Sequence, residues 1–236
     1  MYGITFNGKH SWRDLGFTIS EREVGFPEKK KLKVTIPFSN VEYDFSELYG
    51  SQAYEPRELF YSFNVLDRNG NSKEKMNVLK TKLINWLMNS KGKQKLYDDA
   101  IPGYYFLAEV EGDSSFEENW DTGVLSVTFT AYPFMIAEYP EGNDLWDIFN
   151  FELDVAQKTD FEVQEELEVT LINPGTPDVI PEINATASMT IIKDDIEYIV
   201  TAGVTKDSDF MLKRGENKLK IIGNGKISFT FHKELI

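Results

Sequence analysis

Four adjacent carboxylate pairs have side chains suited to acid–base chemistry: Asp98-Asp99, Glu117-Glu118, Glu165-Glu166 and Asp194-Asp195. Cleavage of a glycosidic bond needs two carboxyls converging on it from opposite sides, about 5–9.5 Å apart. Neighbours in one strand point to opposite faces, so none of these pairs converges by itself, and all four are expected in solvated turns. A serine nucleophile would need an imidazole base, and the chain offers only His10 and His232. His10 lies in the turn Gly8-Lys9-His10-Ser11, and neither histidine is accompanied by a Gly-x-Ser-x-Gly elbow. Gly223-Asn224-Gly225 lacks the further glycines and the helix of a phosphate cradle. Asp207-Ser208-Asp209 is a fragment of a calcium loop. Cysteine is absent, which excludes disulfide scaffolds, cysteine zinc sites, iron–sulfur clusters and thiol nucleophiles. The expectation is a protein that is not an enzyme, with no catalytic, cofactor-binding or metal-ligating residues and no cofactor.

Binding chemistry has more to work with. The basic run Lys29-Lys30-Lys31, with Lys33, suits a phosphate or an acidic partner, or a solvated edge strand whose lysines discourage unwanted pairing. Trp12, Trp86, Trp120 and Trp146 could include a sugar-stacking platform, but no tryptophan follows residue 146. Tyr198 keeps a carbohydrate-binding module in the second half open as an alternative reading.

The elements around these residues read mostly as short strands. Ile4-Thr5-Phe6 runs into Asn7-Gly8, a hairpin dipeptide. Leu32 to Ile36 alternates apolar and polar with period two before Pro37. Phe60 to Leu66 alternates again ahead of the turn signal Asp67-Arg68-Asn69-Gly70-Asn71. Tyr104 to Val110 and Gly123 to Tyr132 are rich in β-branched and aromatic residues. One helix is expected between Lys73 and Ser90. Met76, Leu79, Leu83 and Leu87 have helical spacing there, widened by Val78, Ile84 and Trp86, with Ser72 as N-cap and Gly92 as stop. The second half supplies Glu166–Ile172 with Leu167, Val169 and Leu171 on one face. Further strands are expected at Ile183–Ile192, Glu197–Thr201, Asp209–Leu212, Lys218–Ile222 and Lys226–His232.

Charge divides the chain unevenly. Of 236 residues, 25 are basic and 39 acidic, a net −14. Residues 1–133 carry 16 basic and 19 acidic side chains, and residues 134–236 carry 9 and 20. Residues 138–168 alone hold eleven acids against Lys158. Such a field repels phosphate backbones, so a nucleic-acid-binding outer surface is not expected. Nothing approaches the ~18 consecutive apolar residues of a membrane span, and the first residues lack the basic region and apolar core of a secretory signal. Turn residues at Pro140-Glu141-Gly142-Asn143-Asp144 mark a boundary. The domains expected are 1–134, an acidic linker at 135–150, and a small antiparallel sandwich at 151–236.

The order of several motifs resembles one known family. Gly3-Ile4-Thr5-Phe6-Asn7-Gly8 and Asp14-Leu15-Gly16 come first, then Ile36-Pro37-Phe38, Tyr43-Asp44-Phe45-Ser46, Tyr49-Gly50 and Tyr54-Glu55-Pro56-Arg57. The helix ending Trp86-Leu87 precedes Leu96-Tyr97-Asp98-Asp99, Pro102-Gly103-Tyr104-Tyr105 and Thr128-Phe129-Thr130-Ala131-Tyr132-Pro133-Phe134. Over residues 1–134 this resembles the distal tail protein (Dit) family of long, non-contractile-tailed phages and prophages. Beyond that, Asn173-Pro174-Gly175 and Pro181 are placed like the start of the family's second domain.

The resemblance implies a mainly β protein. An N-terminal β-sandwich or split barrel carrying one amphipathic helix would be followed by a C-terminal galectin-like antiparallel β-sandwich. It implies a structural component of the virion tail tip or baseplate, assembled in the host cytoplasm. The N-terminal domain would form a homo-oligomeric, hexameric ring joining the tail tube protein to the hub protein or tail fibre, with DNA only passing through its channel. Receptor-binding or side-fibre proteins would attach to the second domain, and no membrane is involved.

Overall fold

A computed structural model describes residues 2–38, 40–46, 52–66, 72–119, 122–145 and 149–236. The chain is mainly β and divides into two units, Met1–Met135 and Ile136–Leu235. The turn signal at 67–71, Tyr49-Gly50, Trp120 and Trp146 lie outside the described residues.

In the first unit, strands β1 (Ile4–Phe6) and β2 (Lys9–His10) form a hairpin. Asn7 and Gly8 take φ of 47° and 71°, the left-handed pair that a tight two-residue hairpin turn demands. β1 joins a sheet in the order β2-β1-β7-β8-β9-β6-β3. The later members are β3 (Thr18–Val24), β6 (Arg57–Leu66), β7 (Gln94–Asp98), β8 (Tyr104–Glu118) and β9 (Thr122–Ala131). β9 alternates half-buried and buried residues along its whole length, so Leu125, Val127, Phe129 and Ala131 enter the core.

Helix α1 (Lys73–Met88) covers that core with Met76, Leu83, Trp86 and Leu87. Phe6 meets Trp86 and Phe129 edge-on at 6.3 and 5.2 Å, and Tyr61 meets Phe129 at 5.9 Å. Each such pair adds about 0.5–1.5 kcal/mol beyond burial. The indole Nε1 of Trp86 donates to the Phe6 carbonyl, which pins the helix to the first hairpin. One helix expectation needs correction. Val78 is 68% exposed, because it sits off the Met76–Leu83–Leu87 stripe. Ser72 holds the N-cap position as expected, its carbonyl accepting the Met76 N–H while its side chain makes no capping bond.

A separate two-stranded sheet, β4 (Lys33–Thr35) and β5 (Glu42–Asp44), leaves the first unit between β3 and β6.

In the second unit, β11 (Asp160–Asn173) pairs along its whole length with β16 (Gly215–Thr230). β12 (Glu182–Ala185) and β13 (Met189–Lys193) pair with the other edge of β16. β14 (Ile196–Val200) and β15 (Gly203–Thr205) flank β13 and β12. The core gathers Val163, Leu171, Ile183, Ile191, Leu219, Ile221, Ile227 and Phe229.

Three strand expectations change here. Lys218–Ile222 and Lys226–His232 belong to one strand, not two. Gly223 and Gly225, with φ of 145° and 134°, carry the chain through their positions without ending the ladder. A Cβ on Gly223 would lie 2.9 Å from Met189 Cγ, so the glycine serves close approach rather than a turn. Ile183–Ile192 is two strands, separated where Thr186 hydrogen-bonds Lys226. Asp209–Leu212 is not a strand; Leu212 makes only an isolated bridge to Val179.

Residues in the segment expected to be an acidic linker are held by this unit. β10 (Met135–Ala137) pairs with β17 (Glu234–Leu235), and Glu141 is buried with its N–H on the Phe231 carbonyl.

Candidate interaction surface

Several of the groups singled out for chemistry make contacts within the fold. Asp98 is buried rather than solvated, a correction to the turn expected for it. Its carboxylate accepts from Tyr61 Oη at 2.8 Å, from Arg22 Nε and from the Ala100 N–H. Burial first, and then the Asp98 charge, push the Tyr61 hydroxyl well above its ordinary range. Asp99 turns to His10 instead, 2.9 Å from Nε2. Burial alone would raise Asp99, but His10, the Gly3 N–H and Arg13 together hold it below the usual carboxylate range.

His10 has no lone pair left for catalysis. Nδ1 accepts the backbone N–H groups of Trp12 and Arg13, both at 3.0 Å, which leaves Nε2 as the donor to Asp99. Ser11 is fully buried and accepts the Ile4 N–H. His232 donates through Nδ1 to the Ala137 carbonyl. Asp194 and Asp195 form the left-handed turn between β13 and β14. Glu117, Glu118, Glu165 and Glu166 are exposed. Asp207 accepts the Asp209 N–H in a local turn. Among the described residues no group of three or more metal-ligating side chains converges.

Two of the sugar-platform candidates, Trp86 and Tyr198, are occupied within the fold. Trp86 is 8% exposed, and Tyr198 lies edge-on to Phe210 at 5.0 Å with its hydroxyl on the Asp209 carbonyl.

The lysine run leads to the feature that the fold leaves unsatisfied. Lys29 bridges Tyr54, Lys30 N–H donates to Ala53 O, and Glu55 N–H to Glu28 O, so residues 28–30 and 53–55 tie the base of a hairpin arm that carries β4 and β5. Val34 lies opposite Tyr43 in the register, and the Phe45 N–H donates to Leu32 O. Alternation therefore places Leu32, Val34, Ile36, Val41, Tyr43 and Phe45 on one face. All six are exposed, from 41% at Phe45 to 60% at Leu32.

The other face is ionic. Lys33 Nζ meets Glu42 at 2.8 Å, and Lys31 Nζ meets Asp44 at 3.1 Å. Hydrogen bonds from Ser46, and then from Lys31, lower Asp44 to about 2, while Glu42 raises Lys33. Lys30, Lys31 and Lys33 are thus partnered within the arm. The sequence pattern does not by itself reveal the exposed apolar face. The alternation Leu32-Val34-Ile36 was visible there, but nothing local distinguishes a strand that joins a core from one that does not.

Comparison with known proteins places this fold. No protein-family model and no curated protein sequence matches the chain. Among solved structures, the crystal structure of the SPP1 Dit (gp 19.1) protein matches over 100% of both chains, with a TM-score of 0.67 and 11% identity. That protein is described as a paradigm of hub adsorption apparatus in phages infecting Gram-positive bacteria. A chain of the phage p2 baseplate in its activated conformation matches 99% of this chain and 97% of its own length, at 12% identity and a TM-score of 0.40. At such identity the first likeness is one of fold, and the fold is the one the sequence resemblance implied.

Proposed function

We propose that this chain is a structural subunit of the tail tip of a long, non-contractile-tailed phage or prophage. Six copies form a ring between the tail tube and the baseplate hub or tail fibre. Residues 1–134 make the ring, 135–150 connect, and 151–236 face outward to receptor-binding or side-fibre proteins, with assembly in the host cytoplasm. DNA passes through the channel without being gripped, in keeping with a net charge of −14. The observation that carries this reading is the coincidence of fold with the SPP1 Dit protein over the whole of both chains.

The hairpin arm supplies a physical means of assembly. A two-stranded hairpin alone is marginal in water, and six exposed apolar side chains on one face make it more so. Burying such side chains is worth about 1.5–3 kcal/mol each when complete. Laid on a neighbouring copy, the arm makes a head-to-tail contact, the kind that closes into a ring.

The full chain should form ring particles in negative stain and a mass near six subunits at high concentration. Val34→Glu with Tyr43→Glu should abolish both and leave the melting curve unchanged. Rings that persist in that double variant would remove the arm from assembly. A chain that stays monomeric at every concentration, alone and with a tail-tube subunit, would remove the ring.

A further inference from the structure

We infer that the groove between the β1–β2 hairpin and α1 is a docking site for an extended, acidic segment of a partner protein. The site belongs to the first unit alone and does not depend on the ring proposed above.

The groove encloses about 810 Å³. Two bonds hold its walls together: Asn7 Nδ2 donates to the Trp86 carbonyl at 3.0 Å, and Trp86 Nε1 to the Phe6 carbonyl at 2.8 Å. A site fixed in this way loses little conformational entropy on binding. Its apolar lining comes from half-buried Leu15, from Trp86 and from Val78, the exposed side chain that the buried stripe of α1 leaves out.

The polar lining has a period. Asn77, Thr81 and Asn85 of α1, and Asn89 at its C-cap, recur every four residues and line the groove together. Such positions form one continuous row on a helix surface. Four helical residues advance about 6 Å. Two residues of an extended chain advance about 6.6 Å. Successive rungs of the row therefore meet successive peptide groups on one edge of an extended segment. An asparagine amide offers both the donor and the acceptor that a peptide group needs. The Thr81 hydroxyl donates to the Asn77 carbonyl, whereas the side-chain amides of Asn77, Asn85 and Asn89 have no hydrogen-bond partner among the described residues.

Charge selects the segment. Residues 73–95 hold seven lysines against Glu74, in a chain of net charge −14. Lys73 is engaged by Glu118, and Lys80 and Lys95 rest on the rings of Phe116 and Tyr105. Lys9 and Lys82 line the groove, exposed and without an ion-pair partner among the described residues, and none of the described lining residues is acidic. These two ammonium groups are left for carboxylates from outside. A nucleic acid fits less well: the described lining has no arginine and, with Trp86 only 8% exposed, no open aromatic face on which a base could stack.

The test titrates the full chain by calorimetry with four probes: a short peptide alternating glutamate and valine, the same peptide with its backbone N–H groups methylated, a lysine–valine counterpart and a single-stranded oligonucleotide. The glutamate–valine peptide is expected to bind, more weakly as salt is added, and its methylated form at least about tenfold more weakly still. Lys9→Glu with Lys82→Glu should abolish binding, and Asn77→Ala with Asn85→Ala should lower the affinity about tenfold. Both variants should keep the melting curve, because all four side chains are exposed. Val34→Glu should leave binding intact. No binding of the glutamate–valine peptide, equal binding of the methylated or lysine–valine peptide, or unchanged affinity in either double variant would overturn the inference. So would equally tight binding of the oligonucleotide, or a change of assembled mass in Lys9→Glu with Lys82→Glu, because the groove would then serve a nucleic acid or another copy.

Discussion

Leu32-Val34-Ile36 in the arm and Leu167-Val169-Leu171 in β11 carry the same apolar alternation over the same number of residues. Their fates differ. Leu171 is fully buried and Leu167 and Val169 are half-buried, whereas Leu32, Val34 and Ile36 keep 46–60% of their surface in water. The difference lies in what faces them. β11 is paired to β16 over fourteen residues, and Leu219, Ile221, Ile227 and Phe229 of β16 enter the same core. β4 has only three residues of β5 beside it, and its apolar face is open. A strand pattern thus specifies a face that must be covered, without specifying whether the cover comes from the same chain.

The comparison breaks most readily by truncation. Leu171→Ala should cost the second unit about 2–5 kcal/mol, measured by urea unfolding. Val34→Ala should change the stability of the first unit by no more than about 0.5 kcal/mol. Comparable losses at the two sites would mean that the arm is already covered by its own chain.

Ionisable groups sharpen the contrast on a smaller scale. Burial raises the Glu141 carboxyl, opposed by Gln157 and Lys233. Its protonated form is therefore favoured in the folded state. That contribution is present below the ordinary glutamate range and lost as pH rises through the raised value. Glu141→Gln should match the wild type in acid and exceed its stability at neutral pH, read as melting temperature against pH. In the arm the sign reverses. Asp44, lowered to about 2, supports the hairpin above the ordinary aspartate range and releases it as pH falls toward 2. Asp44→Asn should remove that acid transition from the chemical shifts of Lys31 and Ser46 while global stability stays level, the smallest effect of the set.

Much of the fold was legible from local pattern. Asn7-Gly8 marks a hairpin because only left-handed residues close a two-residue turn, and Met76, Leu83 and Leu87 mark the buried stripe of α1. Misreadings came where a local signal served a distant contact. Gly223-Asn224-Gly225 has the composition of a turn but lies inside β16, against Met189. Asp98-Asp99 looks like a solvated turn, yet Asp98 is claimed by Tyr61 and Arg22 from other strands. The arm was opaque for the same reason: Leu32 and Val34 have the identities of core residues, and only the fold shows that they stay exposed.

The amino-acid sequence by itself determined most of the strands, the helix at Lys73–Met88, the acidic balance and the lack of thiol chemistry, because periodicity and composition are properties of neighbouring residues. The tertiary structure alone decided which apolar faces meet, which carboxylates lose their water, and that Leu32, Val34 and Ile36 stay exposed. Burial depends on residues far apart in the chain, and no local pattern encodes what will stand opposite.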